Sequence, residues 1–495
     1  MTFTDYIFEF SSKYNKTSVI LKDEISYVET FENVNKSASF IKNKKLSKKD
    51  AVLLVSDNSN FFIENYFGII KCGVICVPVN PALNNSEIKY IIDSLNIKLI
   101  FTQNKFREKI NTLICDDVEI CTEESDYKVT LAQENNYSVD INIKEDVAVI
   151  LFTSGSTGNP KGVMLTHYNL MHNTNSIIEY LKLTAQDRIE MVLPFYYCYG
   201  TSILHTHFRV GGSIVINNRF MFPQTVIEDI NKYNCTGFSG VPSNYQILLR
   251  MTDIMHTKLP TLRYITQAGG KLSEIFIKQL IDVLKGVDIF IMYGQTEATA
   301  RLSYLPPHLI SKKMNSIGKG ISGTELLVLN SQGNAVKPGE IGEIAARGGN
   351  VMKGYFNDVI ETQKVIVNGY LYTGDLAKVD DDGYIYIVSR EKNIIKSGGN
   401  RISPKEIEDI ILRIPEIVEC AVIGVEDDTL GEAVKAFVVL LDNSVSIDFK
   451  YILDYCKKHL PSYKTPRYIE FLKDLPKNSS GKVLTKKLKE HDYKE

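Results

Sequence analysis

The chain has 495 residues, 44% of them hydrophobic and 23% charged, with a formal net charge of -2. That length allows several domains and a large buried core, and nothing in the near-neutral balance points to a nucleic-acid or acidic-membrane partner. Eight scattered cysteines form no Cys-x-x-Cys pair and show no zinc spacing with histidine, as expected of free thiols in a reducing cytosol.

The N-terminus, "MTFTDYIFEF", has no basic start and no long apolar stretch, so no signal peptide is expected. "AVLLVS" (51–56) reads as a buried strand. "NFFIENYFGIIKCG" follows as an amphipathic helix, then "VICVPVN". This apolar region carries Glu64 and Lys71 and is too mixed for a membrane span. "EIKYIIDSLNIKLIFT" reads as a helix running into a strand. "SIVINN", "LRYITQAGG" and "DIFIMYGQTE" are apolar strands that end in glycine and polar residues. The alternation predicts an α/β fold of layered, mostly parallel sheets, with ligands at the carboxyl ends of the strands. "TSGSTG", "QAGG" and "YGQTE" fall at such ends and are expected to face one crevice.

From about residue 320 the texture changes to short strands, "TELLVLN", "GEIAARG" and "GYIYIVSR", separated by Gly and Asp turns. This predicts a β-rich subdomain over 320–391. Beyond it, "SPKEIEDIILRI", "VECAVIGVED", "EAVKAFVVL" and "FKYILDYCKKHL" predict a helix, two strands and a helix. The expected division is therefore a large domain over 1–391 and a small α+β domain over 392–495.

The stretch "TSGSTGNPKG" (153–162) packs glycines, hydroxyls and a lysine after the apolar "VAVILF". Such a loop can wrap phosphates with backbone N–H groups. It is not a Walker loop: counting from Gly155, Pro160 stands at the second glycine position and Gly162 follows Lys161. "GKGISG" matches a dinucleotide glycine pattern but has no strand before it and no helix after it. His205 and His207 in "LHTHF" would share a face on a strand, but no third ligand is near in sequence, so structural histidines are expected.

Four further motifs accompany the loop in order: "YGQTE" (293–297), "YLYTGDLA" with Asp375, "GYIYIVSREKNIIKSGGNRISPKEIE" (383–408), and "PKNSSGKVLTKKL" with Lys482. Together they make the whole chain resemble the adenylate-forming superfamily of acyl-CoA synthetases, carrier-protein adenylation domains and luciferases. The resemblance implies an ATP-dependent acid–thiol ligase. Mg-ATP and a carboxylic acid give acyl-AMP and pyrophosphate, and the acyl group then passes to a thiol.

The resemblance also implies roles. Thr153, Ser154, Gly155, Ser156, Thr157, Gly158 and Lys161 wrap the β- and γ-phosphates. Gly269, Gly270 and Lys271 lie along the nucleotide and acyl pocket, as do Gly294 and Gln295. Tyr293 stacks on adenine, Thr296 contacts the α-phosphate and Glu297 holds Mg²⁺. Asp375 accepts the ribose hydroxyls beside Arg390, and Lys482 bridges the acid's carboxylate and the α-phosphate. Lys392 is the hinge of a mobile C-terminal domain, and Gly398 and Gly399 flank the pantetheine tunnel. Tyr197, Cys198, Phe238, Ser239 and Gly240 line the acyl pocket.

These residue types suit the chemistry, because two anions must meet and a metal and a lysine cancel their repulsion. Taken singly, Glu297 could be a helix-start carboxylate, Asp375 a turn residue, Lys482 a surface lysine and the double glycine a tight turn. Two positions depart from common relatives. Tyr197 stands where they often place histidine. Cys198 stands where amino-acid-activating relatives place an aspartate, which disfavours an α-amino acid. The acceptor is CoA or the phosphopantetheine of a carrier protein, with CoA favoured because no acceptor-serine segment follows Lys482. A luciferase-like oxidoreductase, a kinase or NTPase, and a binding module without catalysis are the competing classes. The expected location is cytoplasmic, with no nucleic-acid partner.

Overall fold

In the computed structural model, residues 1–124, 139–153, 160–390, 393–441, 447–477 and 483–492 are described. Two large sheets form the main lobe. In the first, Ala51–Val55, Ile75–Val79, Leu99–Thr102 and Glu119–Cys121 run parallel. All residues of Ala51–Val55 and Ile75–Val79 are buried. That burial on both faces explains why these strands read as continuous apolar runs. The helix Asn60–Lys71 joins them, started by Ser59, whose Oγ accepts from the Phe62 N–H at 3.1 Å.

The strand before the glycine loop does not enter a helix. Val147–Thr153 turns back as an antiparallel hairpin with Lys161–Thr166, so Thr153 and Lys161 face each other across the hairpin's mouth. The segment beyond the loop is therefore a strand, not the helix that a Walker loop feeds. Gly354–Tyr355 pairs on the outer side of Lys161–Thr166.

The second sheet is nine-stranded. Arg188–Met191, Ser213–Ile216, Gly237–Gly240, Tyr264–Gln267 and Asp288–Tyr293 are parallel. Tyr264–Gln267 and Asp288–Tyr293 are neighbours in register, Tyr264 against Asp288. "QAGG" and "YGQTE" therefore leave the carboxyl edge of one sheet side by side, as the α/β pattern predicts. Apolar side chains between the two sheets and around Asn60–Lys71 form the main core, with Phe62, Phe67, Phe101, Phe195 and Phe208 all fully buried.

The expected β-rich segment is an antiparallel sheet of Thr324–Leu329, Ile341–Gly348, Tyr370–Val379, Ile366–Val367 and Ile385–Arg390. The C-terminal segment has the predicted helix Pro404–Ile411, long hairpin Ile417–Asp427 with Gly431–Leu440, and helix Phe449–His459. Gly398 and Gly399, with φ of +53° and +79°, form the two-residue turn between Ile395–Ser397 and Asn400–Ile402. Positive φ at both positions is what a two-residue hairpin of this hand requires, and glycine meets it without strain.

Candidate active site

The "YGQTE" motif begins on the last parallel strand and continues into a single 3₁₀ turn, Thr296–Ala298. Gly294 cannot be replaced there: a Cβ would sit 1.9 Å from the Ala300 carbonyl oxygen. The chain doubles back tightly at this point, which sets Tyr293 on the sheet side and Thr296 and Glu297 beyond the turn.

Tyr293 is buried, and its hydroxyl donates to Asp375 Oδ2 at 2.7 Å. Burial, then the nearby Asp375 charge, pushes the phenol well above its ordinary pKa. Asp375 and Arg390 are directly paired across the Tyr370–Val379 and Ile385–Arg390 strands. Arg390 Nε meets Asp375 Oδ1 at 3.1 Å. Asp375 is thus a placed carboxylate rather than a bare turn residue. It has lone pairs to spare, since a carboxylate accepts about four hydrogen bonds.

On the other side of the turn, Glu297 Oε1 accepts from the Tyr355 hydroxyl at 3.0 Å. Burial and the Glu297 charge raise that tyrosine's pKa, so it stays a donor. Lys161 Nζ lies 5.1 Å from the centre of the Tyr355 ring and pairs with Glu361 Oε2 at 2.5 Å. Hydrogen bonds from Lys161 and Lys364 hold Glu361 down to a pKa of about 2. Glu297 and Lys161 therefore stand on either side of one tyrosine, at the mouth of the glycine-rich hairpin. Tyr355 and Glu361 carry no motif that singles them out; only the pairing of Gly354–Tyr355 with Lys161–Thr166 brings them here.

Thr296 Oγ1 donates to Cys198 Sγ at 3.5 Å, so the start of the helix Cys198–Val210 meets the "YGQTE" turn directly. Burial raises the Cys198 thiol's pKa, which keeps it protonated and inert as a nucleophile. Tyr197 precedes it at the start of the helix Cys198–Val210, its ring 5.0 Å from that of Tyr196.

Several expectations need correction. Phe238 and Ser239 are adjacent on one strand and so face opposite sides. Ser239 meets Thr266 Oγ1 at 2.6 Å, whereas Phe238 packs edge-on to Tyr245 in the core behind the sheet. Phe238 does not share a wall with Ser239. Lys271 is engaged away from the expected nucleotide position: its Nζ pairs with Asp409 Oδ2 at 2.6 Å on the helix Pro404–Ile411, linking the large and small segments. His205 and His207 lie on a helix, not a strand, and do not share a face. His205 bonds to the Tyr66 hydroxyl, and His207 to the Ile203 carbonyl and the Tyr264 hydroxyl. Burial drops their pKa values to about 3 and about 4, so both are neutral core histidines. Ser154, Gly155, Ser156, Thr157, Gly158, Lys392 and Lys482 lie outside the described residues.

The donor set suits one metal. Glu297 offers a single carboxylate, and among the described residues no cluster of three or more His, Cys, Asp or Glu could hold an ion alone. One carboxylate plus substrate phosphates is how Mg²⁺ is commonly bound.

The AMP-binding enzyme family model matches residues 10–356, and the AMP-binding enzyme C-terminal domain matches residues 406–482. The chain belongs to the AMP-binding enzymes. It is an AMP-forming acid–thiol ligase that works through an acyl-adenylate. It is 29% identical to a long-chain-fatty-acid–CoA ligase of Bacillus subtilis (strain 168), over 95% of this chain and 90% of that one. It superposes at a TM-score of 0.91 and 26% identity on the anthranilate CoA ligase AuaEII in complex with anthranoyl-AMP, covering 99% of this chain and 97% of that one. The o-succinylbenzoate coenzyme A synthetase MenE from Bacillus subtilis, in complex with ATP and magnesium ion, matches at a TM-score of 0.84 and 27% identity over 99% of both chains. No helix among the described residues is long and apolar enough to cross a membrane.

Proposed function

We propose that this chain activates a carboxylic acid with Mg-ATP and transfers the acyl group to CoA. The observation that carries the reading is the Tyr293–Asp375–Arg390 cluster, with Thr296 and Glu297 three and four residues further along one tight turn. In this reading Asp375 takes the ribose hydroxyls and Tyr293 and Arg390 fix that carboxylate. The phosphates then run toward Thr296, Glu297 and the hairpin of Thr153 and Lys161.

Glu297, oriented by Tyr355, holds Mg²⁺, which when bound neutralises phosphate charge and polarises the α-phosphorus. Ser154 to Gly158 close over the β- and γ-phosphates, with Gly269 and Gly270 along the adenine. Lys482 comes in from the C-terminal segment to meet the acid's carboxylate and the α-phosphate oxygens. The acid's oxygen attacks the α-phosphorus and pyrophosphate leaves. The small domain, 392–495, then turns about Lys392 relative to 1–391, and the hairpin of Gly398 and Gly399 borders the path by which the thiol reaches the acyl carbon. CoA is favoured over a carrier protein because the relatives that align over most of the chain are CoA ligases.

The test is acid-dependent exchange of labelled pyrophosphate into ATP over a panel of carboxylic acids. Acids that support exchange are then incubated with CoA or with a phosphopantetheinylated carrier protein. AMP, pyrophosphate and acyl-CoA in equal amounts are expected. Phosphate release in place of pyrophosphate would overturn the ligase reading, and acylation of the carrier alone would overturn the acceptor.

A further inference from the structure

We infer that the acyl pocket ends at a buried cation, Arg301, and therefore takes a short acid carrying a second carboxylate at its far end. The inference rests on the ligase reading above and deepens it.

Arg301 is 3% exposed. It has no carboxylate partner among the described residues. Its Nε donates to the Tyr180 hydroxyl at 3.3 Å and its Nη2 to Ser202 Oγ at 3.4 Å, both at the long end for such bonds. Beyond these, the guanidinium lies over the Tyr199 ring, 4.4 Å from its centre. A guanidinium has five N–H donors, and among the described residues the Nη1 amino group has no acceptor. Buried charges are normally paired, because an unpaired one is costly. A guanidinium held this loosely is a site prepared for an anion that arrives from outside the protein.

The surroundings agree. Arg301 lines a buried cavity with Ser202, Thr206, Ser239, Tyr264 and Thr266. It holds about 10 Å³, the room of one water. Ile177, Leu181, Ile189 and Ile203 share its walls, and Arg301 with the neighbouring hydroxyls supplies its polar contacts. Tyr199, which lies against the guanidinium, bonds through its hydroxyl to Thr266 Oγ1 at 2.8 Å.

The recess also lies in the right direction from the reaction centre. Ser202 borders a second cavity that Cys198 and Thr299 line. Cys198 touches Thr296, the residue placed at the α-phosphate. Cys198 and Ser202 stand four residues apart on one helix face, so the path from Thr296 to Arg301 is about one helical turn plus side-chain reach. That puts the second carboxylate roughly 6–9 Å from the reacting one. The same buried charge would repel an ammonium group, in keeping with Cys198 where amino-acid-activating relatives have aspartate.

The experiment compares matched acids in pyrophosphate exchange: adipate with hexanoate, pimelate with heptanoate, and terephthalate with 4-methylbenzoate. It uses the wild type, Arg301→Met and Arg301→Lys. The wild type should favour the diacid of at least one pair by about a hundredfold in kcat/KM, since a site built around a polar group strongly rejects analogues that lack it. Arg301→Met should lose that preference with the KM for ATP unchanged, and Arg301→Lys should keep part of it. Equal or better use of every monoacid by the wild type, or a preference that survives in Arg301→Met, would overturn the inference. If Arg301→Met does not fold, as judged by its thermal transition, the wild-type pairs and Arg301→Lys decide. If no acid supports exchange, calorimetry of the same pairs with wild-type protein and a non-hydrolysable ATP analogue separates the two claims. Binding of diacid alone keeps the anion subsite while the ligase reading fails; binding of neither acid overturns the subsite.

Discussion

The proposed nucleotide end and the proposed acyl end of the cleft are built in different ways. At the nucleotide end, Tyr293, Thr296 and Glu297 come from one five-residue motif, and their partners Asp375 and Arg390 are cross-strand neighbours on a single antiparallel pair. At the acyl end, Tyr199, Ser239, Thr266 and Arg301 come from four separate stretches and meet only through the sheet register that sets Ser239 beside Thr266. ATP is the same molecule in every enzyme of the class, so short motifs can encode its site. The acid differs, and its pocket is written in single side chains dispersed along the chain.

Substitutions at the two ends should therefore fail in different ways. Asp375→Asn removes the charge that meets Arg390 and the proposed ribose contact. Its KM for ATP should rise by about 10–100-fold, the worth of a charge-assisted hydrogen bond, while the ranking of acids stays as in the wild type. Steady-state exchange kinetics with ATP and acid varied separately would show this. A changed acid ranking in Asp375→Asn would mean that the two ends are not separable.

A smaller effect, on stability rather than turnover, lies in the sheet between them. Glu190 is fully buried on the strand Arg188–Met191, with Asn217 as a polar neighbour that favours the charged form less strongly than burial opposes it. Burial, with the nearby Asp229 charge, raises its pKa well above the ordinary 4.5. A raised carboxyl stabilises the fold fully below its unfolded pKa. That contribution is lost as pH rises toward the folded value, because the unfolded chain ionises and the native one does not. Glu190→Gln should accordingly melt higher than wild type. The gap should widen as pH rises above the ordinary carboxyl range, by up to about 1.4 kcal/mol per pH unit. A gap independent of pH would show that the side chain is ionised in the native state.

The legible parts of this molecule were those with local signatures. Apolar runs such as Ala51–Val55 and the glycine-marked strand ends at "QAGG" and "YGQTE" placed strands of the sheets correctly, and the helix–strand–strand–helix pattern after residue 400 did the same for the C-terminal segment. Four things needed the third dimension. The glycine loop's return as a hairpin depends on Lys161–Thr166 pairing backward, which no residue in the loop announces. Tyr355 enters the site only because Gly354–Tyr355 adds to that hairpin. Phe238 and Ser239 read as one pocket wall until strand geometry sends them to opposite faces. Arg301 follows a recognisable motif by four residues, but its burial without a carboxylate is a property of packing.

The central claim is that two anions are brought together by a carboxylate-held metal on the large lobe and a lysine delivered from the small one. The most direct measurement is acid-dependent pyrophosphate exchange by Lys482→Ala, alongside its thermal transition. The account predicts loss of exchange by about a hundredfold or more, the scale of removing one preorganised charge from a transition state, with melting unchanged. Wild-type exchange rates in a folded Lys482→Ala would contradict it.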